Sequence, residues 1–131
     1  DMVEGPAGEE CCHNGKLIAA SATSRENVIP VPYDFDYSGF VSTSYAIPPQ
    51  GLPVRNVRQR YYRGLCRYND QAQAAAELFR SRRGRLYAVI DAETRLSAAR
   101  RATAREYIVC FFEISDDPQR YQRQIVDNCR R

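Results

Sequence analysis

Hydrophobic and polar positions change period about a third of the way along the chain. Residues 16–22 form a short apolar stretch, and residues 28–33 form another that ends in Tyr33; Ser21 to Asn27 lies between them and reads as a turn. Two short apolar runs flanking a polar turn predict a β-hairpin. Pro30 and Pro32 each lack an amide donor, so the second strand is expected to be an edge or to have one irregular side. Residues 39–54, with Pro48-Pro49, Gly51 and Pro53, predict a long connection, and a loop of that length in a compact domain is often functional.

Beyond it the pattern becomes helical. Asn69 or Asp70 caps a helix expected to run through Phe79 and Arg80, built on Gln71, Ala72 and Ala74 to Ala76. Gly84 is expected to break it, and Leu86, Val89 and Ile90 begin a further apolar turn. Residues 94–114 carry the clearest helical period, through Leu96, Ala99, Ala102 or Thr103, Tyr107 or Ile108, Phe111 and Phe112. Asp116-Asp117-Pro118 predicts the start of a last helix, with Tyr121, Ile125 and Val126 on one of its faces. The fold class expected is α+β, mostly α: a small hairpin followed by a helical bundle. The order is not the alternation of a doubly wound sheet. The organisation expected is one domain or lobe, with a hairpin region (1–41), a long loop (42–68) and a bundle (69–131).

Charge adds an asymmetry. Glu4, Glu9, Glu10, Glu26, Asp34 and Asp36 precede Gly51 against only Lys16 and Arg25, while the remainder is basic through arginine. Arg55, Arg58, Arg60, Arg63 and Arg67 alternate with Val57, Tyr61, Tyr62 and Leu65, a pattern seen on surfaces that stack nucleic-acid bases. A solvated face with apolar residues packed inward explains the same pattern, and the acidic first part would repel a phosphate backbone; no nucleic-acid partner is expected. No run approaches the length of a membrane span.

The candidate chemistry sits at the end of the second strand. Val31-Pro32-Tyr33-Asp34-Phe35-Asp36-Tyr37-Ser38-Gly39 runs an apolar strand into two carboxylates one residue apart, followed by small turn residues. Acidic groups held by a strand end suit a divalent cation beside a phosphate, because Mg²⁺ takes hard oxygen ligands in strict geometry. The competing explanation is an ordinary turn, which Asp, Ser and Gly also favour. Five cysteines are present. Cys110 falls in an apolar helical stretch and is expected in the core; Cys11, Cys12, Cys66 and Cys129 lie in or beside loops, as disulfides or as reduced thiols. Cys11, Cys12 and His13 do not supply the four ligands of a zinc site.

Residues 12–41 resemble the CotH-like family of atypical, secreted protein kinases. The residues that carry the resemblance are His13-Asn14-Gly15-Lys16-Leu17, at the start of the hairpin, and the Pro32-to-Gly39 motif, with Tyr33 where the family usually has Trp. The stretch from Tyr62 to Cys66 and the late Cys129 are similar to uncharacterised bacterial relatives of that family. The resemblance implies Mg²⁺ or Mn²⁺ and ATP as cofactors, with Asn14, Asp34 and Asp36 as metal ligands and Asn14 and Asp34 facing the nucleotide. Asp34 would take the part of the kinase Asp-Phe-Gly aspartate, and Asp36 would support it or bind a second ion. It further implies an extracytoplasmic protein acting on a protein substrate, with the nucleotide-gripping lobe and catalytic loop outside this chain, which would be the C-terminal part of a larger one. The alternative is a degenerate kinase-like module that binds a partner without catalysis. The Asp-x-Asp pair is also similar to that of haloacid-dehalogenase-type phosphatases, but those require a following parallel sheet and a later lysine, which this sequence does not offer.

Overall fold

The computed structural model describes residues 15–131 apart from Ala22, Arg25 and Pro49. It divides into two compact units, Asp1–Ile47 and Pro48–Arg131. The boundary falls inside the long connection. The first unit carries an antiparallel pair, β1 (Gly15–Ile18) and β2 (Ile29–Pro32). Gly15 pairs with Pro32, Lys16 with Val31, Leu17 with Pro30 and Ile18 with Ile29. Neither proline can donate to the ladder, so the interstrand bonds belong to the Lys16–Val31 and Ile18–Ile29 pairs, and both prolines turn their nitrogens to the outer edge. Asn27 closes the hairpin loop with a left-handed φ of 52°, a conformation Asn tolerates.

The second unit is helical: α1 (Asn69–Ser81), α2 (Arg83–Asp91), α3 (Ala98–Asp116) and α4 (Pro118–Tyr121). A 3₁₀ turn, Cys66–Tyr68, leads into α1, and a wide π turn, Gln122–Val126, follows α4. Small α+β, mostly α, is therefore the fold class. The helix starts have local causes. The Ser97 hydroxyl accepts from the Arg100 amide and caps α3. The Asp117 carboxylate accepts from the amides of Gln119 and Arg120, with Pro118 in the first turn of α4. The break between α1 and α2 lies at Arg82 (φ −105°, ψ 10°), two residues before the glycine that the sequence marks as the breaker. Gly84 is instead in the first turn of α2, where the amides lack intrahelical partners anyway and glycine costs little.

The core of this unit is small and gathers on α3. Ala76 of α1, Ile90 of α2, and Ala104 and Phe112 of α3 are its buried apolar residues among those described. The Phe112 ring meets Tyr87 edge-on at 5.9 Å and Phe111 at 5.1 Å, and Phe111 in turn meets Phe79 of α1. Polar contacts tie the helix ends to this core. Arg80 donates to the Ser115 carbonyl at 2.7 Å, Arg83 pairs with Asp116, and Arg105 pairs with Asp91. The last two run α2 antiparallel to α3. Cys110 is exposed, not in the core. It lies two residues from Phe112, about 200° around the helix, and so faces away from the packed side.

The arginine-rich segment before α1 is laid along α3. The Arg58 and Arg60 guanidinium groups both sit over the Tyr107 ring, at 5.0 and 3.8 Å from its centre. Arg60 also donates to the Tyr107 carbonyl. The stretch then closes on the chain's far end. Leu65 bridges Arg130 in parallel, the Cys66 amide donates to the Arg130 carbonyl at 2.9 Å, and the Arg130 amide donates to the Gly64 carbonyl at 2.8 Å. A disulfide joins Cys66 to Cys129 beside this bridge, with Cα atoms 4.9 Å apart. Gly64 leaves room there for the Tyr62 ring, whose outer end a Cβ would displace.

Candidate functional site

β2 ends at Pro32, and the chain leaves it through Tyr33 into Asp34. Asp34 has φ of +59°, in the left-handed region that a non-glycine residue occupies at a cost of order 1 kcal/mol or more. The segment then folds back on itself. The Ser38 amide donates to the Phe35 carbonyl at 2.9 Å and the Ser42 amide to the Ser38 carbonyl at 2.8 Å, while the Ser38 hydroxyl accepts from the Val41 amide at 3.3 Å. Ser42 takes a second left-handed φ, 52°, and Gly39 is buried inside the turn. Ser38 and Gly39 thus fill the places in a tight turn that small residues favour.

The fold-back brings Thr43 and Tyr45 onto Asp36. The Thr43 hydroxyl donates to the Asp36 carbonyl at 2.9 Å, fixing the backbone. The Tyr45 hydroxyl donates to Asp36 Oδ2 at 2.6 Å, fixing the carboxylate. The Tyr45 ring is braced by Tyr37, 6.0 Å away and tilted. The Asp36 carboxyl is held below the usual carboxylate range, first by the Tyr45 hydroxyl and then by the Asp34 side chain. Its partner responds in the opposite sense: Asp36 pushes the Tyr45 hydroxyl up, since that proton is already engaged. The Asp34 side chain is thus close enough to Asp36 to act on its carboxyl.

Of the three residues expected at the site, the structure brings Asp34 and Asp36 together; Asn14 lies outside the described residues. So do Cys11, Cys12 and His13. Thr43 and Tyr45 are site residues that sequence reasoning missed, and neither has a signal in the sequence: each is one polar residue in a long loop, contacting an aspartate seven or nine positions back. Among the described residues, no three His, Cys, Asp or Glu side chains gather to hold a metal ion. Mg²⁺ asks less of the protein than that. It is commonly held through one or two carboxylates, with phosphate oxygens and waters supplying the rest. The Asp34–Asp36 pair fits that requirement: two neighbouring carboxylates would supply hard oxygen ligands to a cation that also offsets their mutual repulsion.

The helical unit has a shallow cleft of about 330 Å³, lined among others by Arg60, Tyr61, Cys110, Glu113 and Arg120. Its charged groups are already engaged. Arg120 pairs with Glu113 at 3.6 Å and with Asp117 at 3.6 Å, and Arg60 is committed to Tyr107. The cleft's one carboxylate among the described residues, Glu113, is thus taken up by Arg120, so the carboxylate pair of the hairpin unit is the better candidate for chemistry. Among the described residues no helix is long and apolar enough to cross a membrane. No family model matches the chain, and no curated protein or solved structure matches it either.

Proposed function

We propose that the hairpin unit is the metal-binding half of a kinase-like ATP site, serving phosphoryl transfer from ATP–Mg²⁺ to a protein substrate. The observation that carries this reading is the Asp34–Asp36 pair: two neighbouring carboxyl side chains at a strand exit, one on left-handed backbone and the other fixed by Tyr45. Phosphoryl transfer asks the protein for positioning and charge neutralisation more than for covalent chemistry. Asp34 and Asp36 would hold Mg²⁺ or Mn²⁺, which when bound neutralises charge on the phosphates, and Asn14 would complete the protein's ligand set. Thr43 and Tyr45 orient Asp36 by holding its backbone and one carboxylate oxygen, leaving the other oxygen for the ion. The nucleotide-gripping lobe and catalytic loop belong to a longer chain in this reading. The protein is extracytoplasmic, and the Cys66–Cys129 disulfide supports that, since such bonds persist in oxidising compartments.

The test is transfer of labelled γ-phosphate from ATP, with Mg²⁺ or Mn²⁺, by the full natural gene product and by its Asp34→Asn variant. Asn tolerates left-handed backbone, so the variant removes charge while keeping the turn. Metal-dependent labelling that is lost in the variant is the expected result. If ATP neither labels nor binds, the kinase reading fails and the hairpin belongs to a partner-binding module.

A further inference from the structure

The arginines of the helical unit differ in what lies opposite them. Pro48–Arg131 carries seventeen arginines against nine carboxylates. Among the described residues, ion pairs engage Arg80, Arg83, Arg95, Arg105 and Arg120. Arg58 and Arg60 are committed to Tyr107. Arg63, Arg67, Arg130 and Arg131 are exposed and have no acidic partner among the described residues, although they are far apart in sequence and close in the fold. The Leu65–Arg130 bridge, its two backbone hydrogen bonds and the Cys66–Cys129 disulfide bring them to one corner. Four guanidinium groups at one corner repel, and the covalent bond keeps them from separating. An anion docked there removes that repulsion.

We propose that this corner docks an Asp- and Glu-rich peptide segment of a protein partner. Guanidinium groups present paired N–H donors whose fork matches a carboxylate, and an arginine cluster is a known way of reading acidic motifs. Arg67 adds a flat surface, its guanidinium stacked at 4.9 Å on Tyr68, which is 49% exposed. The size of the patch sets the length of the ligand. The neighbouring arginines of the same run, Arg58 and Arg60, are turned onto α3, so the patch does not continue in that direction. Along the chain it is followed by Asp70, in the first turn of α1, and preceded on the returning segment by Asp127, which accepts from Gln122. A nucleic acid needs a longer track of phosphate contacts than this corner supplies. A few carboxylates on an extended peptide suit it. The inference concerns the helical unit and does not rest on the reading of the hairpin.

The experiment is fluorescence anisotropy of a labelled Glu-Gly repeat peptide with the full chain, oxidised, at low salt. The expected result is saturable binding that falls with added salt. It should weaken roughly tenfold or more in an Arg63→Ala/Arg130→Ala variant and stay unchanged in Arg100→Ala, whose exposed side chain is on the first turn of α3. Thermal melting of the three proteins checks that the variants fold, and a variant that melts low is replaced by Arg63→Gln/Arg130→Gln. Equal loss in the Arg100 and corner variants would mean diffuse attraction and would overturn the proposal. So would the absence of peptide binding, or tighter binding of a single-stranded oligonucleotide or of phosphatidylserine vesicles than of the peptide.

Discussion

Replacing both cysteines of the Cys66–Cys129 bond by serine should cost the helical unit much of its stability. The two residues are 63 apart in sequence, so the bond closes nearly the whole unit into one loop. Closing a loop of that length removes unfolded-state entropy worth about 4 kcal/mol at 25 °C. The native state adds no obvious opposing strain, because the Cα separation of 4.9 Å lies within the ordinary disulfide range. A domain of this kind has only about 5–15 kcal/mol in total. Two backbone bonds of the Leu65–Arg130 bridge survive at that corner in the Cys66→Ser/Cys129→Ser variant. The Asn69 amide's contact with residue 129 survives as well, its acceptor changed from sulfur to oxygen. The assay is urea unfolding followed by far-ultraviolet circular dichroism, with and without reductant. The double variant should lose several kcal/mol and melt roughly 20 °C lower. Reductant should lower the unsubstituted protein by a similar amount and leave the variant unchanged. A loss below about 1 kcal/mol would refute the loop-closure argument, since it would mean that the unfolded chain already keeps these ends together.

Phe112→Ala should cost about 3–5 kcal/mol, because the ring is only 2% exposed and its neighbours Tyr87 and Phe111 cannot collapse onto the space it leaves; urea unfolding reads this directly. Cys110→Ser should change stability by less than about 0.5 kcal/mol, the ordinary result for an exposed side chain, and a larger loss would place the thiol in the core after all. Tyr45→Phe should raise the Asp36 pKa, since it deletes the hydroxyl that chiefly holds it down, and a carbon-13 carboxyl titration measures the shift. A carboxyl depressed in the folded state contributes stability above its unfolded pKa and loses that contribution as pH falls through the folded one. The Tyr45→Phe protein should therefore lose less stability than the unsubstituted protein on acidification below about pH 4.

Legibility in the sequence depends on whether the cause is local. The Asp117-Pro118 entry to α4 rests on residues that act within one turn and stands where the pattern puts it. By contrast, α1 starts at Asn69 with Tyr68 as N-cap and no side-chain cap, because the preceding 3₁₀ turn leads straight into it, so neither Asn69 nor Asp70 caps the helix as the pattern suggests. The α3 start moves from residue 94 to Ser97 as N-cap, a displacement of one turn, because two residues able to cap lie close together and only tertiary packing chooses between them. The pattern misplaces Cys110 because a continuous apolar run hides the helical angle: residues 107–112 cover more than a full turn, and the core takes only one side of it. At the candidate site the two carboxylates are legible by type and spacing, whereas Tyr45 is not, since loop contacts have no period.

The arginine segment shows how far a local pattern can mislead. From Arg55 to Arg67 the alternation with apolar and aromatic residues is uniform, and by itself it calls for one explanation throughout. The fold divides it by what lies opposite. Arg58 and Arg60 meet Tyr107, where a guanidinium stacked on a ring and bonded to a helix carbonyl contributes to packing. Arg63 and Arg67 meet instead the strand bridge that returns from Arg130, which brings more positive charge, while the Asp127 carboxylate on that segment accepts from Gln122. The first pair therefore gains by staying in place, and the second gains only when an anion arrives. That difference comes from contacts between residues more than forty positions apart, so a substitution at Arg60 should show in unfolding, and one at Arg63 should show in binding.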